Sequence, residues 1–145
     1  MGGLEIRRAE ERDVLGIAEI WIGQMEAPPY SLTIDEEEAT AAIRGYVSSV
    51  DLTVAEYEGS IVGFCAASLY RYIDGYRVWV SELFVRKGLE GRGIGSALIG
   101  SLESRFKSHG AKKLELLASE GAGAREFYQK RGFSMSSFRK FEKTL

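Results

Sequence analysis

Leu83-Phe84-Val85-Arg86-Lys87-Gly88-Leu89-Glu90-Gly91-Arg92-Gly93-Ile94-Gly95-Ser96-Ala97-Leu98 reads as an apolar strand that runs into a glycine-rich turn and then directly into a helix. That order builds a cradle for phosphate. Glycines at positions 91, 93 and 95 remove Cβ atoms that would keep a ligand away from the main chain, so successive backbone N–H groups can point at one anion. The helix opening near Ile94 adds its unpaired N-terminal N–H groups and the positive end of its dipole. A pyrophosphate is the expected guest.

Other glycine motifs fail on spacing. A P-loop requires G-x-x-x-x-G-K-[ST], and the chain contains no Gly-Lys-Ser or Gly-Lys-Thr. The dinucleotide fingerprint G-x-G-x-x-G/A places Ser96 third if begun at Gly91 and Leu98 third if begun at Gly93. Glu115 stands where a ribose-binding acid would, but only 30 residues follow it, too few for further strand-helix units.

A second segment lies downstream: Ala124-Arg125-Glu126-Phe127-Tyr128-Gln129-Lys130-Arg131-Gly132-Phe133. The two segments together resemble the GNAT N-acetyltransferase superfamily. Glu90 to Gly95 is similar to its coenzyme A signature [QR]-x-x-G-x-[GA], with both glycines in place and Glu90 where the family carries Gln or Arg. Ala124, Phe127, Tyr128, Gly132 and Phe133 fall on the pattern N-x-x-A-x-x-[FL]-Y-x-x-x-G-F, with Gly121 in the place of its Asn. With its flanking strands, the resemblance covers nearly all of the chain.

Length and composition agree. At 145 residues and 45% hydrophobic content the chain is one domain, residues 1–145, with apolar material for a core. A net charge of -2 argues against a general nucleic-acid binder. No apolar run approaches the roughly 20 residues of a membrane helix, and no signal-peptide core opens the sequence, so a cytoplasmic enzyme is expected. Cys65, in an apolar strand run, reads as a small buried hydrophobe, and His109, just before Gly110, as a favourable charge at a helix end.

Periodicity lays out the scaffold. Leu4 to Arg8 alternates as a strand, and Val14, Ile17, Ala18, Trp21 and Ile22 repeat as a helix that ends at Ala27-Pro28-Pro29-Tyr30. Thr33 with Glu36 forms a capping box that opens a second helix through Val47. Leu52 to Tyr57, Ile61 to Tyr70 and Arg77 to Val85 read as three antiparallel strands joined by Glu58-Gly59 and Asp74-Gly75. Ile94 to Phe106 is a helix, Lys113 to Leu117 a strand, Ala122 to Arg131 the last helix, and Phe133 to Ser136 and Phe138 to Glu142 closing strands. The expected class is α/β: a single GNAT-like domain with a mixed sheet of about seven strands and four helices, in the order β-α-α-β-β-β-α-β-α-β-β.

The resemblance implies acetyl-CoA as cosubstrate. Its pantetheine would lie along Leu83, Phe84 and Val85, and its pyrophosphate on Glu90, Gly91, Arg92, Gly93, Ile94, Gly95 and Ser96. No metal is expected. Transfer to an amine needs a neutral nucleophile, and an alkyl ammonium with a pKa near 10.4 leaves fewer than about one molecule in a thousand neutral at pH 7. Glu82, a carboxylate inside an apolar strand, is a candidate base, with pairing to Arg77 or Arg86, or simple exposure on a strand face, as the structural alternatives. Tyr128 falls on the family's acid position and can donate to a departing thiolate; packing in the apolar stripe of the last helix is its alternative. Glu26, Tyr30 and Tyr72 suit a small cationic amine, although tyrosines around a hairpin also serve cross-strand pairing. The expected activity is acetyl transfer to a primary amine of a small molecule by direct attack. Protein N-terminal acetylation and non-catalytic acyl-CoA sensing are alternatives. No nucleic-acid or membrane partner is expected, and a homodimer is allowed.

Overall fold

In a computed structural model that describes residues 2–121 and 123–145, the chain folds as a five-stranded sheet with helices on both faces. In order the elements are β1 (Glu5–Arg8), a 3-10 turn (Glu11–Asp13), α1 (Val14–Glu26), α2 (Glu36–Ser49), β2 (Asp51–Tyr57), β3 (Ser60–Tyr72), β4 (Gly75–Val85), α3 (Ile94–Ser108), β5 (Ala111–Leu116) and α4 (Ala124–Lys130). The strands lie in sequence order. β1 to β4 pair antiparallel, and β5 joins β4 in parallel through the crossover helix α3.

Two apolar layers sandwich the sheet. On one face Val14, Ile17, Ile20 and Ile43 of α1 and α2 close over Leu52, Val54, Phe64 and Ala66. On the other, Ile94, Leu98, Leu102 and Phe106 of α3 cover Val62, Cys65, Val78 and Val80. Cys65 is buried, as its apolar run implies, and burial pushes its thiol up to about 12, which leaves it unreactive. His109 caps α3, its Nδ1 donating to the Arg105 carbonyl at 2.7 Å.

Three sequence expectations are corrected. Asp35, not Thr33, caps α2: its carboxylate accepts from the Glu38 N–H at 3.1 Å, because the helix begins at Glu36 and only Asp35 stands one residue before it. The last helix spans Ala124–Lys130; its expected first residue, Ala122, lies outside the described residues. Residues 133–142 form no strand, so the sheet has five strands and not about seven. Their side chains alternate suitably, but the segment joins no ladder.

The strand that positions chemistry is β4. Its register against β3 steps from Ala67↔Val80 to Ala66↔Glu82, which makes Ser81 the extra residue of a β-bulge. Val78 and Val80 face α3 before the bulge; after it, Leu83 and Val85 do. Strict alternation would send position 82 into the α3 core with Val78 and Val80. The bulge turns Glu82 to the opposite face, under α1 and α2. β5 pairs with β4 only as far as Val80↔Leu116, so β4 continues from Ser81 to Val85 beyond the end of its parallel neighbour.

Candidate active site

The main chain of β4 beyond β5 has a defined polarity. Arg86 N–H donates to the Val62 carbonyl at 2.8 Å, which makes the facing pair Gly63↔Val85 the kind that exchanges no hydrogen bonds. By alternation Cys65↔Leu83 is the same. The N–H and C=O groups of Leu83 and Val85 therefore point away from β3, into the wedge opened where β5 stops. Phe84, expected with them, turns its main chain to β3 and its ring to Tyr30, edge-on at 6.2 Å. One wedge-facing carbonyl has a side-chain partner: Gln24, in the last turn of α1, donates to Val85 O at 2.8 Å.

At the end of β4 the chain enters the glycine loop. Gly91 and Gly93 adopt φ of +76° and +86°, a region closed to most L residues, and an added Cβ at either would meet no atom within 4 Å. Conformation, and not crowding, demands glycine there. Gly95 differs: its Cβ would come within 3.0 Å of the Phe127 ring, so glycine lets α4 lie against the start of α3. Gly93 caps α3, and its carbonyl accepts from Ala97 N–H at 3.0 Å; the N–H groups of Ile94, Gly95 and Ser96 precede that first helical bond. The Ile94 side chain is core. Glu90, the departure from the signature, binds its own loop: Oε2 accepts from Gly88 N–H at 2.8 Å. Arg92 is exposed beside it.

Arg131 was not singled out by sequence. Its guanidinium lies 3.7 Å over the Phe127 ring, donates to the Phe127 carbonyl at 2.9 Å, and donates to Ser96 Oγ at the start of α3. It places a positive charge beside Ser96, at the start of α3. Gln24 was missed as well. Neither carries a local signal, since each acts across more than 30 residues of sequence.

Glu82 is partly buried beside the Trp21 indole of α1, whose ring packs against Tyr46 of α2 at 6.2 Å. Burial pushes its carboxyl up to about 7, and the Trp21 indole N–H partly offsets the rise. That N–H is itself buried and has no partner of hydrogen-bonding geometry among the described residues. Neither Arg77 nor Arg86 pairs with Glu82: Arg77 binds Asp74 and Glu115, and Arg86 binds Glu19. Pairing with an arginine is therefore not its role, and the carboxylate stays partly exposed on its strand face.

Tyr128 packs edge-on between Phe127 and Phe133, with ring centroids 5.1 and 5.4 Å away. Burial holds its phenol protonated, pushing it up to about 12, with smaller contributions from the nearby Tyr30 and Cys65. The α1–α2 segment thus brings Tyr30 against Phe84 and near enough to Tyr128 for its charge to be felt there. Glu26, the last residue of α1, is exposed beside this segment. Tyr72 is not brought to the site. It pairs with Gly75 at the far end of the hairpin, six positions along β3 from Ala66 and so about 20 Å from the Glu82 register. Its ring is covered by the Arg77 guanidinium at 4.0 Å.

Two surface hollows of about 340 and 480 Å³ lie elsewhere, between the start of α1 and the β2–β3 turn. Arg12, Asp13, Glu19, Glu56 and Arg86 in the first are all ion-paired already, which leaves the wedge as the better-equipped site. Among the described residues no group of three or more His, Cys, Asp or Glu side chains is gathered as a metal would need. Nor, among the described residues, is any helix long and apolar enough to cross a membrane.

Comparison with known proteins fits this geometry. An N-acetyltransferase of Methanocaldococcus jannaschii, itself uncharacterized, is 38% identical over 84 residues; the match spans 55% of this chain but only 37% of that protein's length. A possible acetyltransferase from Clostridium difficile 630 superposes with a TM-score of 0.84 at 16% identity, covering 98% of this chain and 97% of the other. An aminoglycoside acetyltransferase from an uncultured soil metagenomic sample superposes with a TM-score of 0.78 at 19% identity, covering 99% and 97%. Residues 11–133, from the turn before α1 to the phenylalanine packed on Tyr128, match the Acetyltransferase (GNAT) family. That match covers most of the chain, which therefore belongs to the GNAT acetyltransferase family.

Proposed function

We propose that the protein transfers the acetyl group of acetyl-CoA to a primary amine of a small molecule by direct attack. What supports this reading is the strand edge itself: the amide groups of Leu83 and Val85 turn away from β3 next to Glu82, and Tyr128 packs on Phe127, which lies against Gly95 at the start of α3. The glycine loop suits a pyrophosphate: Gly91 and Gly93 leave open space where side chains would stand, the first N–H groups of α3 face it, and Arg92 and Arg131 supply positive charge. When bound, acetyl-CoA supplies the activated thioester.

Leu83 and Val85 hold the pantetheine arm by their wedge-facing amide groups, and Gln24 yields the Val85 carbonyl to it. Glu82, with a pKa near 7, takes the proton of the amine directly or through a water, so the amine attacks in its neutral form. Backbone N–H groups at Val85 stabilise the charge that develops on the carbonyl oxygen. Tyr128 remains protonated at neutral pH and gives its proton to the leaving sulfur, whose conjugate acid has a pKa near 8.5. Tyr30 and Glu26 border the amine side, an aromatic ring and a carboxylate for a cation. Glu26 and Tyr30 stay in the proposed acceptor site; Tyr72 does not.

Acetyl-CoA binding measured by calorimetry, followed by thiol release with a panel of small amines and peptide N-termini, tests the reading. Micromolar binding with amine-dependent thiol release is expected. Absence of acetyl-CoA binding overturns it. Turnover with peptides alone overturns the small-molecule assignment.

A further inference from the structure

We propose that Trp21 is a positioning residue for Glu82: its indole N–H donates to the ionised carboxylate and holds it in place for the acceptor amine. The inference rests on the reading of Glu82 as the base. It starts from the way α1 lies against β4. Gln24 of α1 donates to the Val85 carbonyl of β4 at 2.8 Å, which fixes one point of that crossing. Trp21 stands three residues before Gln24, so the two share a face of the helix, and Glu82 stands three residues before Val85 on the strand. The contact that seats Gln24 on β4 thus brings Trp21 to the level of Glu82, whose side chain the bulge at Ser81 has turned to this face. The indole packs in the α1–α2 layer against Tyr46, the two ring planes tilted by 46°.

The indole nitrogen is a donor without an acceptor. Buried N–H groups nearly always have a partner, yet Trp21 Nε1 is buried with none of hydrogen-bonding geometry among the described residues. An indole N–H can only donate, so an acceptor is what it lacks. Loss of the Glu82 proton supplies one beside it. The bond then favours the carboxylate over the acid and works against the burial that favours the acid. Nothing else facing Glu82 does this. From α2 comes the Tyr46 phenol, which burial and the Glu82 charge both raise above its ordinary value, so it stays protonated through the neutral range. β3 presents Ala66 across from Glu82, and β5 has already ended at Leu116, paired with Val80. Arg77 and Arg86 are bound to other carboxylates. Trp21 therefore acts through Glu82, keeping it ionised at a pH where the amine must still lose its proton.

The test reads the indole directly and then the reaction. The chain has two tryptophans, Trp21 and Trp79, so ¹⁵N-labelled full-length protein gives two indole N–H resonances, told apart by Trp79→Phe. Across neutral pH the Trp21 resonance should move downfield with a midpoint of about 7, and in Glu82→Gln it should not move. Trp21→Phe keeps an aromatic ring against Tyr46 and deletes the N–H. The rising limb of its kcat/KM profile should shift up by about one pH unit, so that activity is about tenfold below wild type on the acid side of the limb and close to wild type on the alkaline side. A Trp21 resonance that ignores pH, or that titrates equally in Glu82→Gln, overturns the proposal. So does a Trp21→Phe loss that is the same at every pH, which marks a packing role. The two ways of failing are distinguishable. An indole that titrates with Glu82 in an enzyme lacking a limb near 7 overturns the proposal through Glu82, which is then not the base; a stationary indole in an enzyme that keeps the limb overturns it through Trp21 alone.

Discussion

Gln24 Nε2 and the carbonyl oxygen of Val85 are 2.8 Å apart, a hydrogen bond that ties the last turn of α1 to the wedge-facing edge of β4. In ligand-free protein the carboxamide satisfies the carbonyl that a ligand amide would otherwise meet. The segment that starts two residues later carries Glu26 and Tyr30, so the proposed acceptor side and the bond to β4 share one stretch of chain.

Replacing Gln24 by Ala removes an internal competitor for Val85. Acetyl-CoA affinity should rise about two- to tenfold, the range of one net hydrogen bond. Adenosine 3′,5′-bisphosphate, which has no pantetheine arm, should bind as to wild type. Equal changes for both ligands in calorimetry would show that Gln24 acts on the loop and not on the wedge.

Glu82 gives two pH effects of known sign. As a base it works ionised, so kcat/KM should rise with pH through about 7, and Glu82→Gln should lower it by roughly 10²–10⁴-fold and remove that limb. For stability, its folded pKa is raised from 4.5 to about 7, so the native state prefers the protonated form. That contribution is fully present below about pH 4.5 and is lost as pH rises through about 7. Glu82→Gln should therefore gain in Tm relative to wild type between about pH 5 and pH 8. A Tm difference independent of pH would show that Glu82 is not held in a desolvating pocket.

Tyr128→Phe keeps the ring that packs between Phe127 and Phe133 and deletes only the hydroxyl. Thermal stability and acetyl-CoA affinity should change little, while turnover falls roughly 10²–10⁴-fold. Wild-type turnover with chemistry rate-limiting would assign the proton to another donor.

Glu90 separates charge from scaffold. Glu90→Gln keeps an oxygen for the Gly88 N–H and removes the charge near the phosphates, so acetyl-CoA should bind up to about fivefold tighter. Glu90→Ala removes the loop contact too and should bind more weakly than Glu90→Gln. Equal affinities in the two variants would show that the Gly88 contact does not shape the loop.

Sequence by itself determined the local parts of this protein. The strand-turn-helix from Leu83 to Leu98 and the apolar periods of α1 and α3 depend on residues a few positions apart, and the left-handed conformations at Gly91 and Gly93 follow from their lack of a Cβ. The proposed acid position at Tyr128 follows from resemblance to the family's motif. Tertiary structure decided what depends on partners distant in the chain. The bulge at Ser81 reverses the face of Glu82, against the alternation its neighbours announce. Gln24 reaches Val85 and Arg131 reaches Ser96, over separations of 61 and 35 residues that leave no periodic trace. Tyr72 has the composition of a substrate wall and is claimed by Arg77. Residues 133–142 have the pattern of strands, yet a strand exists only where another edge accepts its hydrogen bonds, and pattern alone cannot supply that edge.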